Sequence, residues 1–437
     1  MASNASAEAA PIPEPIPVYR IDLSLPPSKR YIQLATDFAP KMQEIIPLFD
    51  EVLSVAIPWP WLRRFIQWIS TLVLRRVYSS EETQELKGIA KASGVDMYFL
   101  VALNVLLDSL MGCTSGGVLT RPEKRRETKI NPLNEDERTP RMMHIRTLDW
   151  GMNELRSVLV VLEFVKSKSK TPEKVIARTV TYAGFVGVLT GVRYVCLACL
   201  EYIACQRVSR PNLSISLNVR PTHHCSTLKL RIHQILVIFG FRPSIVSILR
   251  GKFIPSLEAP LPLDQLTTTL SESRSAPCYL ILSSGTSTTV IEKDLLDGKV
   301  RSATDFIIHT NHDIKDTEAA QNTHDQKEKS MILGMDAFLE ESEERRDCIQ
   351  KKWNSLVKRQ EKKRKEKGEV KEEQEIEPSA VREKTLRGWV SAYPIMNECS
   401  HFGCIMDPQT GTIRWMERGV PEDSDDEGDN FPVLDHE

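Results

Sequence analysis

The feature that most limits how this chain can fold is a change of hydrophobic rhythm at Gly112. Up to Met111 the apolar residues recur at helical spacing, in ATDFAPKMQEIIPLFDEVLSVA and again in LNVLLDSLMG, and the serines ahead of Glu81 and Glu82 mark a helix start. After Cys113 the texture is that of strands. MMHIRTLDW, SVLVVLEFVK, VIARTVTYAGFVGVLTGV, LSISLNVR, CYLILSSG, TSTTVIEKD, ATDFIIHTN, GWVSAYPI, FGCIMDP and TIRWMERG all carry β-branched alternation between turn residues. Two helical stretches, near STLKLRIHQILVIFGF and LPLDQLTTTLSES, lie among them. A helical block followed by strands that share a core with a few helices predicts an α+β layered sandwich. At the seam stands Cys113, between the apolar run and a Gly-rich turn. It is either one more small core residue or the atom that does the chemistry.

The totals exclude several classes. With 57 Lys and Arg against 59 Asp and Glu in 437 residues, no global field points to nucleic acid or to an acidic substrate, and no nucleic-acid partner is expected. Nine cysteines, an odd number spread over a long chain, fit reduced thiols better than a disulfide framework. The first residues show no basic segment followed by an apolar one, so no signal peptide is visible and an intracellular home, cytoplasmic or membrane-peripheral, is expected. No stretch reaches the length of uncharged apolar residues that a spanning helix needs. Residues 57–78, IPWPWLRRFIQWISTLVLRRVY, set Trp59, Trp61 and Trp68 beside arginines. That pattern suits a helix lying in a membrane interface and equally a core helix with a basic outer face.

Punctuation along the chain gives the domain plan. Residues 1–17, rich in Ala and Pro, read as a disordered arm, 121–140 as a charged loop, and 419–437 as an acidic tail. A charged insert runs from about 314 to 380, and its KKWNSLVKRQEKKRKEKGEVKEEQEIEP interleaves Lys with acid, the mark of a solvated helix or a disordered segment rather than a nucleic-acid site. Cys196, Cys199, Cys205, His223, His224 and Cys225 invite a zinc reading, but the first three sit in an apolar segment rather than in the turns of a zinc knuckle, so neither a metal nor another cofactor is expected.

The order of several stretches resembles the acid ceramidase and N-acylethanolamine acid amidase family, cysteine amidohydrolases of the N-terminal-nucleophile class related to bile salt hydrolases and penicillin V acylases. The stretches are VYRIDLSLPPSKRYIQLATDFAPKM, LKGIAKASGVD, LNVLLDSLMGCTS, RTLDWG, YAGFVGVLTG, LSISLN, TNHD and SEERRDC, which run from Val18 to Cys348, within a resemblance that covers about residues 18 to 415. The resemblance implies a four-layer αββα sandwich of the Ntn-hydrolase type preceded by a small helical prosegment. It divides the chain into 18–112, the small subunit, and 113–418, the catalytic large subunit, both from one precursor cut between Gly112 and Cys113.

On the same resemblance, Cys113 is the nucleophile and its freed α-amine the proton acceptor, an amine that ordinarily titrates at about 7.7 to 8.0. Arg146 is implied to favour the thiolate, Asp149 to orient the amine, and Asn311 to bind the oxyanion. Of the basic pair, Arg346 is preferred for catalysis, with Arg345 and Asn218 against the substrate. The implied substrate is a lipid amide met at a membrane surface. Ceramide is the first choice and an N-acylethanolamine the alternative at the same kind of bond. A lysosome- or vacuole-like compartment belongs to the resemblance as well. The alternative of another class is an uncleaved, non-catalytic lipid-binding homologue.

Two departures from the family pattern stand out. Asn218 is followed by Val219 and Arg220 where the family has Glu and Arg, which removes a carboxylate. The segment YVCLACLEYIACQRVSR (194–210) separates GVR from PNLSISLN and reads as a retained intron. Arg193, Tyr194 and Val195 can be encoded AGG-TAT-GTN, Ser209-Arg210 can end in CAG-G, and removal restores GVRPNLSISLN in frame.

Overall fold

The computed structural model describes residues 14–48, 54, 59–106, 112–121, 139–193, 212–254, 261–314, 329–330, 335–366 and 378–420. Most of the expected arm, charged loop and acidic tail, much of the charged insert, and all of 194–210 lie outside the described residues. The strands are β1 (Val18–Asp22), β2 (Gly112–Arg121), β3 (Arg141–Asp149), β4 (Leu159–Val165), β5 (Ala177–Tyr182), β6 (Thr190–Arg193), β7 (Leu213–Val219), β8 (Thr222–His223), β9 (Cys278–Ser283), β10 (Thr288–Lys293), β11 (Gly298–Ala303), β12 (Phe306–His309), β13 (Lys329–Ser330), β14 (Val381–Arg382), β15 (Ser400–Asp407) and β16 (Thr412–Arg418). The helices are α1 (Ile32–Asp37), α2 (Ala39–Glu44), α3 (Pro60–Val73), α4 (Ser80–Ser93), α5 (Met97–Leu106), α6 (Thr227–Ile238), α7 (Ile245–Phe253), α8 (Leu263–Glu272), α9 (Met335–Glu366) and α10 (Glu383–Val390).

Two sheets lie face to face with helices outside them, the αββα order expected. One runs β1-β4-β5-β6-β7-β9-β10-β11; the other runs β12-β2-β3-β15-β16, with β14 beside β2. Alternation along β7 explains the stacking. Its Leu213, Ile215 and Leu217 join the apolar core beneath the helices, while Ser214 and Ser216 turn the other way and bond the two ring nitrogens of His144 on β3, each at 2.8 Å. On β3 the complementary set, Met143 and Ile145, packs outward against Ile349 and Trp353 of α9 and Leu386 and Val390 of α10. The layer between the sheets is therefore part polar, and it holds Cys113, Arg146 and Asn218, whereas Asp149 alternates to the other face of β3 and meets Arg345 of α9.

Four expectations change. Cys113 opens no Gly-rich turn: Gly112–Arg121 is a buried strand paired with β3, and its glycines serve close approach. A Cβ at Gly116 would meet the Ile307 carbonyl oxygen, and one at Gly117 the Thr288 hydroxyl. GWVSAYPI is not a strand, because Leu386, Trp389 and Val390 are buried at helical spacing on α10. VYRID, in the otherwise helical N-terminal region, forms β1, parallel to β4 in the first sheet. The charged insert is not wholly solvated, since Ile349 and Trp353 anchor α9 to the second sheet.

The ends of the suspect segment meet directly. Arg193 is the register partner of Leu213, so β6 and β7 already form a closed antiparallel pair on either side of 194–212. Ser79 caps α4 by accepting the Glu82 N–H at 3.3 Å, as its sequence position suggested.

Candidate active site

Register brings the site together. In the β2–β3 ladder Gly112 faces Asp149, Cys113 faces Leu148 and Ser115 faces Arg146. Cys113, Arg146, Asn218 and Asn311 are fully buried, with Asp149 and Arg345 nearly so.

Two hydrogen-bonded groups surround Cys113. The first contains its backbone nitrogen, which donates to Asn311 Oδ1 at 2.7 Å. The same oxygen accepts from Arg345 Nη2 at 3.1 Å, and Arg345 Nη1 reaches Asp149 Oδ2 at 3.0 Å. The other Asp149 oxygen accepts from the Ser400 hydroxyl at 2.6 Å. Asn311 is itself pinned, its N–H on Ser342 Oγ at 2.7 Å and its Nδ2 on the Val219 carbonyl at 2.9 Å. In the uncleaved chain the Asn311 amide nitrogen is thus engaged with Val219, and its oxygen serves the peptide nitrogen of Cys113.

The second group is centred on Arg146. Its Nη1 donates to Ser115 Oγ at 3.0 Å and to Asn218 Oδ1 at 2.5 Å. Asn218 in turn donates to the carbonyls of His309 and Thr310. Nε and Nη2 of Arg146 are buried with no hydrogen-bond partner among the described residues. Such donors are costly to leave unmet, and they stand ready for negative charge beside the thiol. Burial pushes the Cys113 thiol above its ordinary pKa; Arg146 opposes that most strongly, Asp149 adds to it, and Arg345 opposes it. Arg146 therefore acts in the direction expected for thiolate formation, but desolvation outweighs it in the uncleaved chain.

The basic pair on α9 is a correction. Arg345, not Arg346, reaches Asp149 and Asn311, because Ser342, Arg345 and Ile349 share the buried face of the helix. Arg346, one position on, turns about 100° away and lies half-buried; burial, with the Arg346 charge behind it, pushes His312 down to about 4. Val219, at the position of the missing carboxylate, is a core residue, and Arg220 pairs with Asp313 through two nitrogens. His144 is locked between Ser214 and Ser216, with burial pushing it down to about 3.

Sequence reasoning did not find Ser115, Ser342, Ser400 or the Val219 carbonyl. Ser342 carries a usable signal, three residues before Arg345 on one helix face. Ser400 carries none, since its role depends on strand register. Among the described residues no cluster of three or more His, Cys, Asp or Glu has a geometry that could hold a metal. No helix among them is long and apolar enough to cross a membrane.

A family model described as the beta subunit of N-acylethanolamine-hydrolyzing acid amidase matches residues 14–78. Acid ceramidase of Heterocephalus glaber is 24% identical over 193 residues, covering 41% of this chain and 43% of its own. The N-acylethanolamine-hydrolyzing acid amidase of Caenorhabditis elegans is 29% identical over 185 residues, covering 40% of this chain and 44% of its own. The chain thus aligns with less than half the length of these curated relatives. Among solved structures, a Caenorhabditis elegans N-acylethanolamine-hydrolyzing acid amidase ortholog matches 71% of this chain and 100% of its own, with a TM-score of 0.42 and 16% identity.

Proposed function

We propose that this chain, which resembles the acid ceramidase and N-acylethanolamine acid amidase family over part of its length, is an amidase that hydrolyses the amide bond of N-acyl lipids with Cys113 as nucleophile. One observation carries this reading. The Gly112–Cys113 bond lies inside a closed set of polar contacts, with Asn311 on the cysteine nitrogen, Arg345 on Asn311, and Asp149 between Arg345 and Ser400.

The precursor step would use the same atoms as catalysis. Cys113 Sγ attacks the Gly112 carbonyl carbon, the C–N bond breaks, and the thiol proton passes to the departing nitrogen. Water then hydrolyses the thioester, leaving a large subunit that begins at Cys113 and a small one that ends at Gly112. The new α-amine is a base that the peptide nitrogen was not. In turnover it takes the thiol proton as sulfur attacks the substrate carbonyl, and returns it to the leaving amine. A second water frees the fatty acid. Arg146, with two unmet donors, supports the sulfur anion; Arg345 and Asp149 hold the amine end. The asparagine amide that now bonds Val219 must turn if it is to serve the oxyanion.

Ceramide remains the first substrate to test and an N-acylethanolamine the second. Each methylene buried adds about 0.8 kcal/mol, so an acyl chain brings its own binding energy to an apolar groove. The experiment offers both, labelled, to wild type and to Cys113→Ala, and follows the precursor by electrophoresis and N-terminal sequencing. Hydrolysis with a new N-terminus at Cys113 supports the reading.

Contact with a bilayer is part of the proposal. Trp59, Trp61, Phe65, Trp68 and Leu72 on or beside α3 are exposed, Trp61 at 68%, as are Leu228, Ile232 and Ile235 on α6, Leu228 at 70%. Beyond the C-terminal ends of these two helices the Arg76 guanidinium lies 5.4 Å from the Phe241 ring centroid. Exposed apolar side chains beside Arg63, Arg64, Arg75 and Arg76 fit an anionic lipid interface. The double variant Trp61→Glu/Trp68→Glu is expected to lose at least about tenfold in affinity for anionic vesicles in a sedimentation assay. Unchanged binding would assign these tryptophans another role.

A further inference from the structure

Strand β15 enters the second sheet irregularly. Ser400 pairs with Asp149 and Phe402 with Leu148, so two steps on β15 match one on β3 and His401 is the extra residue. A bulge of this kind breaks the alternation of a strand and re-aims neighbouring side chains. Here two successive residues both serve the end of β3. The Ser400 hydroxyl bonds Asp149 Oδ1 at 2.6 Å, and His401 Nε2 bonds the Trp150 carbonyl at 3.1 Å. The carbonyl can only accept, so Nε2 carries the hydrogen and Nδ1 accepts from the Tyr182 hydroxyl at 2.7 Å. The Trp150 N–H closes the corner on the Cys399 carbonyl at 2.7 Å.

The Ser400 oxygen accepts the Asn397 N–H at 2.9 Å, and its hydrogen has two acceptors in reach, of which Asp149 Oδ1 at 2.6 Å is much the nearer and Asn397 Oδ1 lies at 3.3 Å; Arg345 holds the other carboxylate oxygen. A hydroxyl so placed makes a short, charge-assisted bond. We propose that the β15 bulge makes Ser400 a positioning residue for Asp149, holding the carboxylate on its second oxygen so that Arg345, Asn311 and the nitrogen of Cys113 stay in line. The inference rests on the function proposed above, because it gives Asp149 its task. The serine side chain bonds Asp149 and Asn397 and not Cys113, so its effect is expected on the chemical step rather than on substrate capture.

The test uses the full chain, with labelled ceramide or N-acylethanolamine, whichever the wild type hydrolyses, below the unfolding midpoint of every variant. Ser400→Ala is expected to lower kcat by about tenfold while KM stays within about twofold, and to slow the precursor cut to a similar degree. If that variant does not accumulate folded, Ser400→Cys replaces it; its weaker donor gives an expected loss of about threefold in kcat, again at constant KM. Full kcat in whichever variant folds, or loss confined to KM, overturns the proposal. Failure of the underlying reading looks different: hydrolysis persists in Cys113→Ala whatever stands at position 400.

Discussion

Cys113→Ala is expected to remain a single uncut chain and to lose at least about 10³-fold in hydrolysis of the labelled amide, because it removes both the attacking atom and the source of the amine base. Nothing else in the layer can replace it. His144 is neutral, with both ring nitrogens engaged by serines. The Ser115 hydroxyl is held by Arg146 and donates to Asn218 at 2.8 Å. Activity within about tenfold of wild type would remove Cys113 from the mechanism. A wild-type chain that stays whole and inert toward both amides would instead favour the uncleaved lipid-binding reading.

The largest effect on stability is expected at Arg345. It is 2% exposed against an Asp149 that is 3% exposed, and its loss strands a carboxylate inside the sandwich with only a hydroxyl partner. Breaking one side of a buried pair costs about 3–5 kcal/mol, far more than the pair contributes as a whole. Arg345→Met should show that loss in urea unfolding, measured in the Cys113→Ala background so that one intact chain unfolds. Arg346→Met, on the half-buried side of α9, should change stability by about 1 kcal/mol or less. Equal losses at the two positions would mean that the Arg345–Asp149 pair is not what holds this end of α9.

Much of the fold was legible because strands that turn an apolar face to the helices and a polar face to the other sheet advertise it by alternation. LSISLN is the clearest case: its leucines and isoleucine face the helices and its serines and asparagine face β3. GWVSAYPI deceived for the opposite reason, since eight residues are too few to separate a helical stripe from an alternating one. The glycines after Cys113 suggested a turn because the sequence shows their freedom but not the neighbouring backbone that requires it. Within the site, Cys113, Arg146, Asp149 and Asn311 came from motif order, and the structure brings them together through ladder register. The choice between Arg345 and Arg346 needed the phase of a helix that begins outside any motif. Ser400 needed a bulge some 250 residues away from the aspartate it serves, and no local pattern encodes that meeting.

Strand β1 has a consequence for the life of the molecule. It adds a parallel edge to a sheet made otherwise of residues that follow Cys113, with Val18 opposite Val161 and Asp22 opposite Val165. Opening the Gly112–Cys113 bond would turn that ladder into a bond between two molecules, whose reunion after melting depends on their concentration. The intact form would recover from denaturant at any dilution, while the matured form would recover poorly when dilute, a contrast that a refolding series on each form reads out directly. Maturation would then be a one-way passage: a shape reached as a single thread and kept afterwards by kinetics.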